Sequence, residues 1–173
     1  MNAVTPDGSP VEVYRRIPPE PELSIVRQYI GNRRRVLDLG AGTGVLAIAA
    51  AKALHRHVLA SDIDPLSVQV ARDNARLNGA GNFVRAIHAT GFSAPQISAN
   101  APFDLVLANI LANPLRQMAT PMAAQLAPSA LVILSGLLPH QAQGVIASYR
   151  ARGLILRRHL KIDGWSSLLM QRA

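Results

Sequence analysis

Residues 36–52 read VLDLGAGTGVLAIAAAK, and this stretch decides the fold of the chain. Apolar residues run into three glycines at alternate positions, Gly40, Gly42 and Gly44, and an apolar helical pattern follows directly. The order predicts a strand, a tight turn and a helix N-terminus, which together open the nucleotide-binding half of an α/β sheet. The spacing is G-x-G-x-G and not G-x-G-x-x-G. The loop alone therefore does not show whether it binds the pyrophosphate of a dinucleotide or a different nucleoside cofactor.

Strands and helices alternate along the rest of the chain. Predicted strands cover residues 35–40, 57–62, 83–88, 103–109 and 130–135. Predicted helices cover residues 44–54, 65–78, 114–126 and 139–152. In the second of these, Asp64 is the expected N-cap and Pro65 the first helical residue. The alternation predicts a mostly parallel sheet with helices on both faces.

Two strand-like segments close the chain, at residues 154–162 and 165–171, and Asp163-Gly164 between them is a strong hairpin signal. The hairpin brings one antiparallel strand into the sheet. A seven-stranded, mostly parallel α/β sheet that ends in this way is typical of the Rossmann-like class I methyltransferase fold.

The length of 173 residues predicts a single domain with its own core. We expect residues 1–34 to form an N-terminal extension with one helix at residues 20–31, and residues 35–173 to form the cofactor-binding domain. The absence of cysteine excludes disulfides and thiolate metal sites and favours a reducing compartment.

Several classes of protein are not favoured by the sequence. The N-terminus lacks the basic-then-apolar pattern of a signal peptide, and no apolar run is long enough to span a bilayer. The five histidines show no ligand spacing with carboxylates, so no metal is expected. We therefore expect a soluble, cytoplasmic protein that makes no membrane contact.

The net charge of +8 is unevenly distributed. Up to Asn74, nine basic residues face eight acidic ones, whereas beyond it nine basic residues face only two acidic ones. This basic C-terminal half is typical of a surface that contacts an acidic partner such as ribosomal RNA. It is equally typical of a solvated face in an arginine-rich proteome, and both interpretations stay open.

Two carboxylates bear on the choice of cofactor. Asp62 closes the second predicted strand, where an acidic residue accepts hydrogen bonds from the ribose hydroxyls of an adenosine. Asp38 lies inside the first strand, where a carboxylate is costly to bury unless it is paired. It either braces the glycine loop through backbone amides or also faces the cationic methionine end of S-adenosyl-L-methionine. NAD offers no cation there, so the pair favours S-adenosyl-L-methionine.

Five stretches, taken in order, resemble a known family: VLDLGAGTG, SDIDPLSVQVARDNARLNG, FDLVLANILANPL, SGLL and the closing GW. They are similar to the catalytic domain of PrmA-type enzymes, the lysine and N-terminal-amine methyltransferases of large-subunit ribosomal protein eleven. The similarity covers about residues 35–172. The segment NILANPL is its more specific part, because most base methylators carry N-P-P-Y at that place.

The resemblance implies S-adenosyl-L-methionine as cofactor, a protein amine as acceptor, and a set of site residues. The glycine loop would hold the methionine part, Asp62 the ribose, and residues 89–91 the adenine edge. Asn109 would be catalytic, standing beside the transferred methyl and orienting the acceptor amine. The implied cofactor-binding residues are Asp38, Gly40, Gly42, Gly44, Asp62, Ile63, Ala89, Thr90 and Asn109.

Asn109 also makes chemical sense without the family. It follows the carboxyl end of a predicted central strand, where open α/β sheets bind ligands. An amide oxygen can aim the lone pair of a neutral amine without itself titrating, and alignment is most of what such a displacement needs. The alternative is an asparagine that merely ends a strand in a turn.

The sequence departs from the family pattern in two places. The family carries an N-terminal recognition domain, which we expect this chain to lack because only 35 residues precede Val36. RRIPPEPELSIV also occupies the region of a G-T-G-x-H-x-T-T segment that lines the family's cofactor site. We therefore expect either that a separate chain supplies substrate recognition or that the acceptor differs. Three hypotheses follow: protein amine methylation first, then RNA methylation, then a cofactor-binding adaptor subunit.

Overall fold

The computed structural model describes residues 35–173, and the helix expected at residues 20–31 lies outside them. Within the described range, seven strands form one sheet: β1 (Val36–Leu39), β2 (Val58–Asp62), β3 (Val84–His88), β4 (Phe103–Asn109), β5 (Leu126–Leu137), β6 (Leu154–Ile162) and β7 (Trp165–Arg172). The helices of this range are α1 (Val45–Leu54), α2 (Pro65–Leu77), α3 (Pro95–Asn100), α4 (Ala112–Ala124) and α5 (Pro139–Arg150).

The strand order is β3-β2-β1-β4-β5-β7-β6. Neighbours from β3 to β5 pair in parallel, whereas β7 is antiparallel to both β5 and β6. The chain builds outward from β1 in one direction and then returns to place β4 on the other side of β1. This reversal is the switch point at which open α/β sheets bind ligands beyond the carboxyl ends of the strands. The predicted seven-stranded architecture is confirmed.

The two faces of the sheet are covered by different kinds of helix. On one face, α3, α4 and α5 contribute large apolar side chains to the core, among them Leu115, Met122 and Tyr149. On the other face, α1 and α2 contribute mainly alanines, which let the helices lie close to the strands. Among residues 35–173, no helix is long and apolar enough to cross a membrane.

Helix α2 begins as the sequence predicts. Asp64 is its N-cap and accepts hydrogen bonds from the N–H groups of Leu66 and Ser67, at 3.1 and 3.0 Å. The Ser67 hydroxyl also donates to Asp64 at 2.8 Å, and these bonds hold the pKa of the Asp64 carboxyl below its usual value. The cap fixes where the chain turns from β2 into α2. It thereby helps to orient Asp62 and Ile63, which directly precede it.

The largest differences from the sequence prediction concern α3, α4 and β5. Helix α3 was not predicted, because it has six residues and buries only Ile97. Helix α4 begins at Ala112 and not at Pro114, since a proline in the first turn loses no intrahelical hydrogen bond. Strand β5 is longer than the predicted 130–135 and begins at Leu126, directly after α4 ends.

Replacing Tyr149 by phenylalanine tests the packing of α5 on α4. The buried Tyr149 hydroxyl donates to the Leu115 carbonyl at 3.1 Å, and burial raises the pKa of this phenol. We expect Tyr149→Phe to keep the fold and to lower the free energy of unfolding by about 1 kcal/mol, measured by urea denaturation. Ser148→Ala on the same helix is the control, because its part-exposed hydroxyl bonds only within the helix. Equal stability of Tyr149→Phe and the native chain would show that the hydrogen bond contributes nothing.

Candidate functional site at the carboxyl ends of the strands

The glycine loop closes onto the end of β2. Gly40, Gly42 and Gly44 have φ angles of 71°, 53° and 81°, a region that residues with a β-carbon rarely adopt. The N–H groups of Gly40 and Ala41 both donate to the Ser61 carbonyl, at 2.8 and 3.0 Å. The alternate spacing of the glycines therefore produces a turn whose backbone is held against the neighbouring strand.

Asp62 joins three parts of the site. One of its carboxylate oxygens accepts from the Gly42 N–H at 2.8 Å, and the other accepts from the Asp64 N–H at 2.9 Å. An ionised carboxylate has about four acceptor positions. Two therefore stay open on a half-buried side chain at the end of β2, which is enough for two further hydroxyl donors.

Asp38 is buried in β1 and only half satisfied. Its Oδ2 accepts from the Ala47 N–H in the first turn of α1, at 2.9 Å, and its Oδ1 has no hydrogen-bond partner among residues 35–173. Within the described part of the chain, the buried Ser61 hydroxyl in the adjacent strand also has no hydrogen-bond partner. The pKa of Asp38 is raised to about 7, chiefly by burial and to a smaller extent by the charge of Asp62, whereas the Ala47 N–H lowers it.

The residues after β2 and β3 lie side by side. The Ala89 N–H donates to the Asp62 carbonyl at 2.8 Å, which places Ala89 and Thr90 next to the end of β2. The His88 Nε2 lies 2.9 Å from the carbonyl oxygen of Ile63, so this nitrogen carries the proton and braces that backbone. The Ile63 side chain is 64% exposed. An apolar surface thus stands beside the Asp62 carboxylate.

Asn109 ends β4 beside Ser135 of β5, with an exposed side chain. A β-carbon at Gly136 would lie 2.6 Å from Asn109 Oδ1 and 3.1 Å from the Ile110 carbonyl oxygen, and the φ of Gly136 is +76°. Only glycine leaves room for Asn109 in this position. The Ile110 side chain packs over Gly40, where a β-carbon would overlap it. The end of β4 thereby connects the glycine loop to Asn109.

Sequence reasoning missed Ile110 and Gly136 as parts of the site. Gly136 lies in SGLL, one of the stretches that carry the family resemblance, but the sequence predicted no site role for it. The available signal was a glycine at the carboxyl end of a strand, where a close backbone approach is a common reason for its presence. Nothing local marks Ile110, because its partner Gly40 lies in a different strand-loop unit.

Three exposed apolar residues, Leu111, Leu138 and Trp165, lie at the end of the strands where Asn109 lies, and we call them the apolar rim. Leu111 follows the end of β4 and is 73% exposed, and Leu138, also exposed, follows the end of β5. Trp165 begins β7 and is 55% exposed. The antiparallel pairing of Leu137 with Ser166 places Trp165 opposite Leu138. The apolar rim thus lies on the same side of the sheet as Asn109, at the carboxyl ends of β4 and β5.

A model of the ribosomal protein L11 methyltransferase (PrmA) family matches residues 22–173. The chain belongs to this family. The resemblance carried by the five sequence stretches is therefore confirmed.

Curated PrmA relatives are longer than this chain. The ribosomal protein L11 methyltransferase of Rhodopseudomonas palustris is 72% identical over 140 residues, which cover 81% of this chain and 48% of the relative. That of Bradyrhizobium diazoefficiens is 72% identical over 137 residues, covering 79% and 46%. The chain therefore spans about half the length of the curated relatives it matches.

Solved structures share the fold. The ribosomal protein L11 methylase of Lactobacillus delbrueckii subsp. bulgaricus superposes with a TM-score of 0.78 at 27% identity, over 87% of this chain and 75% of that one. An RNA methyltransferase of Salinibacter ruber, solved in complex with S-adenosyl-L-homocysteine, superposes with a TM-score of 0.68 at 19% identity, over 90% and 92%. The second likeness concerns the fold alone.

All nine predicted site residues of this PrmA-family chain lie in or just beyond the carboxyl ends of β1 to β4. The C-terminal basic residues lie elsewhere: Arg150 ends α5, and Arg157, Arg158 and Lys161 lie on β6, the opposite edge strand from β3. Within residues 35–173, no group of three or more His, Cys, Asp or Glu side chains could hold a metal ion.

The raised pKa of Asp38 predicts a pH dependence of stability. From about pH 4 upward the unfolded chain loses this proton, because its ordinary pKa is 3.8, whereas the folded chain keeps it until about pH 7. The free energy of unfolding should therefore fall across this window by up to about 1.4 kcal/mol per pH unit, and the contribution should level off above it.

Asp38→Asn should remove this contribution, because the amide oxygen still accepts from Ala47 and does not titrate. Denaturant unfolding of both proteins across this pH range measures the difference. Parallel curves for the two proteins would contradict the assignment of the titration to Asp38.

Proposed function

We propose that this chain is an S-adenosyl-L-methionine-dependent methyltransferase whose acceptor is an amine of ribosomal protein L11. The observation that carries the proposal is the assembly of the glycine loop, Asp62 and half-satisfied Asp38 at the switch point, with Asn109 beside them. The names of the 72% identical relatives support the choice of acceptor. The cytoplasmic location expected from the sequence stays a prediction.

The residues present fit this cofactor better than NAD. A buried carboxylate oxygen without a partner, on Asp38, suits a ligand that carries positive charge, which NAD does not offer at this position. Apart from its chain neighbours, no described residue comes within 4 Å of the point where a Gly42 β-carbon would stand, which suits a loop backbone that a ligand approaches closely. The two free acceptor positions of Asp62 match two ribose hydroxyls, and the exposed side chain of Ile63 offers an apolar face to the adenine.

The bound cofactor supplies an electrophilic methyl group on a sulfonium. The chain's own contribution is alignment and exclusion of water. The Asn109 amide oxygen accepts a hydrogen bond from the acceptor amine and so aims its lone pair, while Gly136 and Ile110 fix where that oxygen lies. The apolar rim packs the aliphatic part of a lysine side chain and keeps water from the amine.

Two measurements test the function together. Calorimetric titration should show binding of S-adenosyl-L-methionine and S-adenosyl-L-homocysteine and none of NAD. Transfer of a tritiated methyl group should then label ribosomal protein L11 and not ribosomal RNA presented in parallel. Label in RNA alone would replace protein methylation by RNA methylation, and cofactor binding without transfer to either acceptor would favour an adaptor subunit.

Asp62→Ala should weaken cofactor binding while the chain stays folded. The loss of charged acceptors for the ribose and for the Gly42 N–H should cost about 2–4 kcal/mol, or roughly 30-fold or more in affinity for S-adenosyl-L-homocysteine. Asp73→Ala on the exposed side of α2 is the matched control and should bind normally. Unchanged affinity in folded Asp62→Ala would show that the ribose is held elsewhere.

Gly136→Ala should impair methyl transfer and spare cofactor binding. The added β-carbon displaces the Asn109 amide, and turnover should fall roughly tenfold or more because misalignment acts on the barrier. Gly153→Ala is the control, since its φ of +81° imposes the same backbone strain and, apart from its chain neighbours, none of the described residues lies within 4 Å of its β-carbon position.

Asn109→Ala should likewise impair methyl transfer and spare cofactor binding. We expect its affinity for S-adenosyl-L-homocysteine to stay nearly intact and its turnover on the acceptor protein to fall. Native turnover in Asn109→Ala would contradict its assignment as the residue that orients the acceptor.

A further inference from the structure

A second, chemically different surface lies along the edge strand β3, on the outer side of the sheet. The groove there has a volume of about 830 Å³, and we call it the β3 groove. Among residues 35–173, the charged or titratable side chains that line it are all basic: Arg35, Arg72, Arg76, Arg85, His57 and His88. No carboxylate is among the described residues that line it. Such a groove attracts a polyanion.

Two arginines of the β3 groove, Arg72 and Arg35, donate to backbone carbonyls. Both Nε and a terminal nitrogen of Arg72 donate to the Ala86 carbonyl, at 3.1 and 2.8 Å. Arg35 donates to the Ala101 carbonyl at 2.9 Å. Carbonyl partners orient a guanidinium without neutralising its charge. The Arg76–Asp73 pair at 3.1 Å is highly exposed, so it contributes little.

The Arg72 contact also restricts what can bind. The Ala86 carbonyl belongs to the edge strand, where an incoming peptide would need it as an acceptor in order to add a strand. Because Arg72 already occupies this carbonyl twice, strand addition along β3 is disfavoured. A ligand that contacts the guanidinium groups themselves fits the groove better.

An exposed aromatic pair stands at the start of β3. The rings of Phe83 and His57 lie with centroids 5.5 Å apart and planes inclined by 39°. Phe83 is 39% exposed, although its ring is apolar. Aromatic side chains beside a cationic track are the combination that binds single-stranded nucleic acid, because bases stack on the rings while arginines contact phosphates.

We propose that the β3 groove binds single-stranded RNA. Arg76 and Arg85 contact phosphates, and the Phe83–His57 pair stacks one base. This surface differs from the basic residues of β6, Arg157, Arg158 and Lys161, which lie at the opposite edge of the sheet. The proposal does not depend on the methyl acceptor, since the groove is built from β3, α2 and α3 and not from the residues around Asn109.

The test is fluorescence anisotropy of a labelled ten-nucleotide oligouridylate with the full chain, at several salt concentrations. The groove variant is Arg76→Glu with Arg85→Glu, both exposed positions. The control is Arg150→Glu with Arg157→Glu, which changes the net charge equally at the other edge of the sheet. The groove variant should bind roughly tenfold more weakly or worse and show a shallower salt dependence, while the control should change affinity less than about threefold.

Phe83→Ala separates stacking from charge. It should weaken binding several-fold and leave the salt dependence unchanged, because a lost stacking contact releases no counterions. Circular dichroism verifies the fold of each variant, and Arg85→Gln replaces the double variant if that one does not fold.

Three results would overturn the proposal. Equal weakening by the groove and control variants would show diffuse electrostatic binding. Native affinity in Phe83→Ala would remove the stacking contact. Displacement of the oligonucleotide by an equally charged poly-glutamate peptide at the same concentration would assign the β3 groove to an acidic protein segment.

Discussion

The Asp62 carboxylate holds the N–H groups of Gly42 and Asp64 at the same time, and the rest of the site depends on this double contact. It ties the glycine loop to the end of β2 and to the start of α2. With the loop fixed, α1 begins where its first turn can donate to Asp38, and Ile110 can pack over Gly40. The Asp62 side chain therefore joins the glycine loop to the loop before α2, and the packing of Ile110 on Gly40 adds the loop after β4.

The charges of the molecule are separated by this arrangement. At the switch point, the proximity of Asp62 adds to burial in raising the pKa of Asp38, so a cation bound there would relieve both costs. Along β3, arginines line a groove without a carboxylate among the described residues. A chain with a net charge of +8 can in this way present a site for a cationic cofactor and a separate surface for a polyanion.

The parts of the structure that sequence could predict are those with local causes. The glycine loop, the Asp64 cap and the Asp163-Gly164 hairpin each depend on residues within a few positions of one another. The mostly parallel sheet and its antiparallel strand followed from the alternation of elements and the closing hairpin. In contrast, the contact of Ile110 with Gly40 and the room that Gly136 leaves for Asn109 join distant segments, so no local pattern marks them. The bond from Arg72 to the Ala86 carbonyl is of the same kind, and α3 is too short to produce a periodic signal.

Hydrogen exchange of the backbone amides, with and without saturating S-adenosyl-L-homocysteine, tests the location of the cofactor site most directly. The account predicts slower exchange at residues 40–44, 62–64 and 89–91, the three loops that Asp62 and its neighbours hold together, and no change along β6. Protection confined to β3 and β6, or none at all in the presence of bound ligand, would contradict the placement of the cofactor site at the carboxyl ends of β1 to β4.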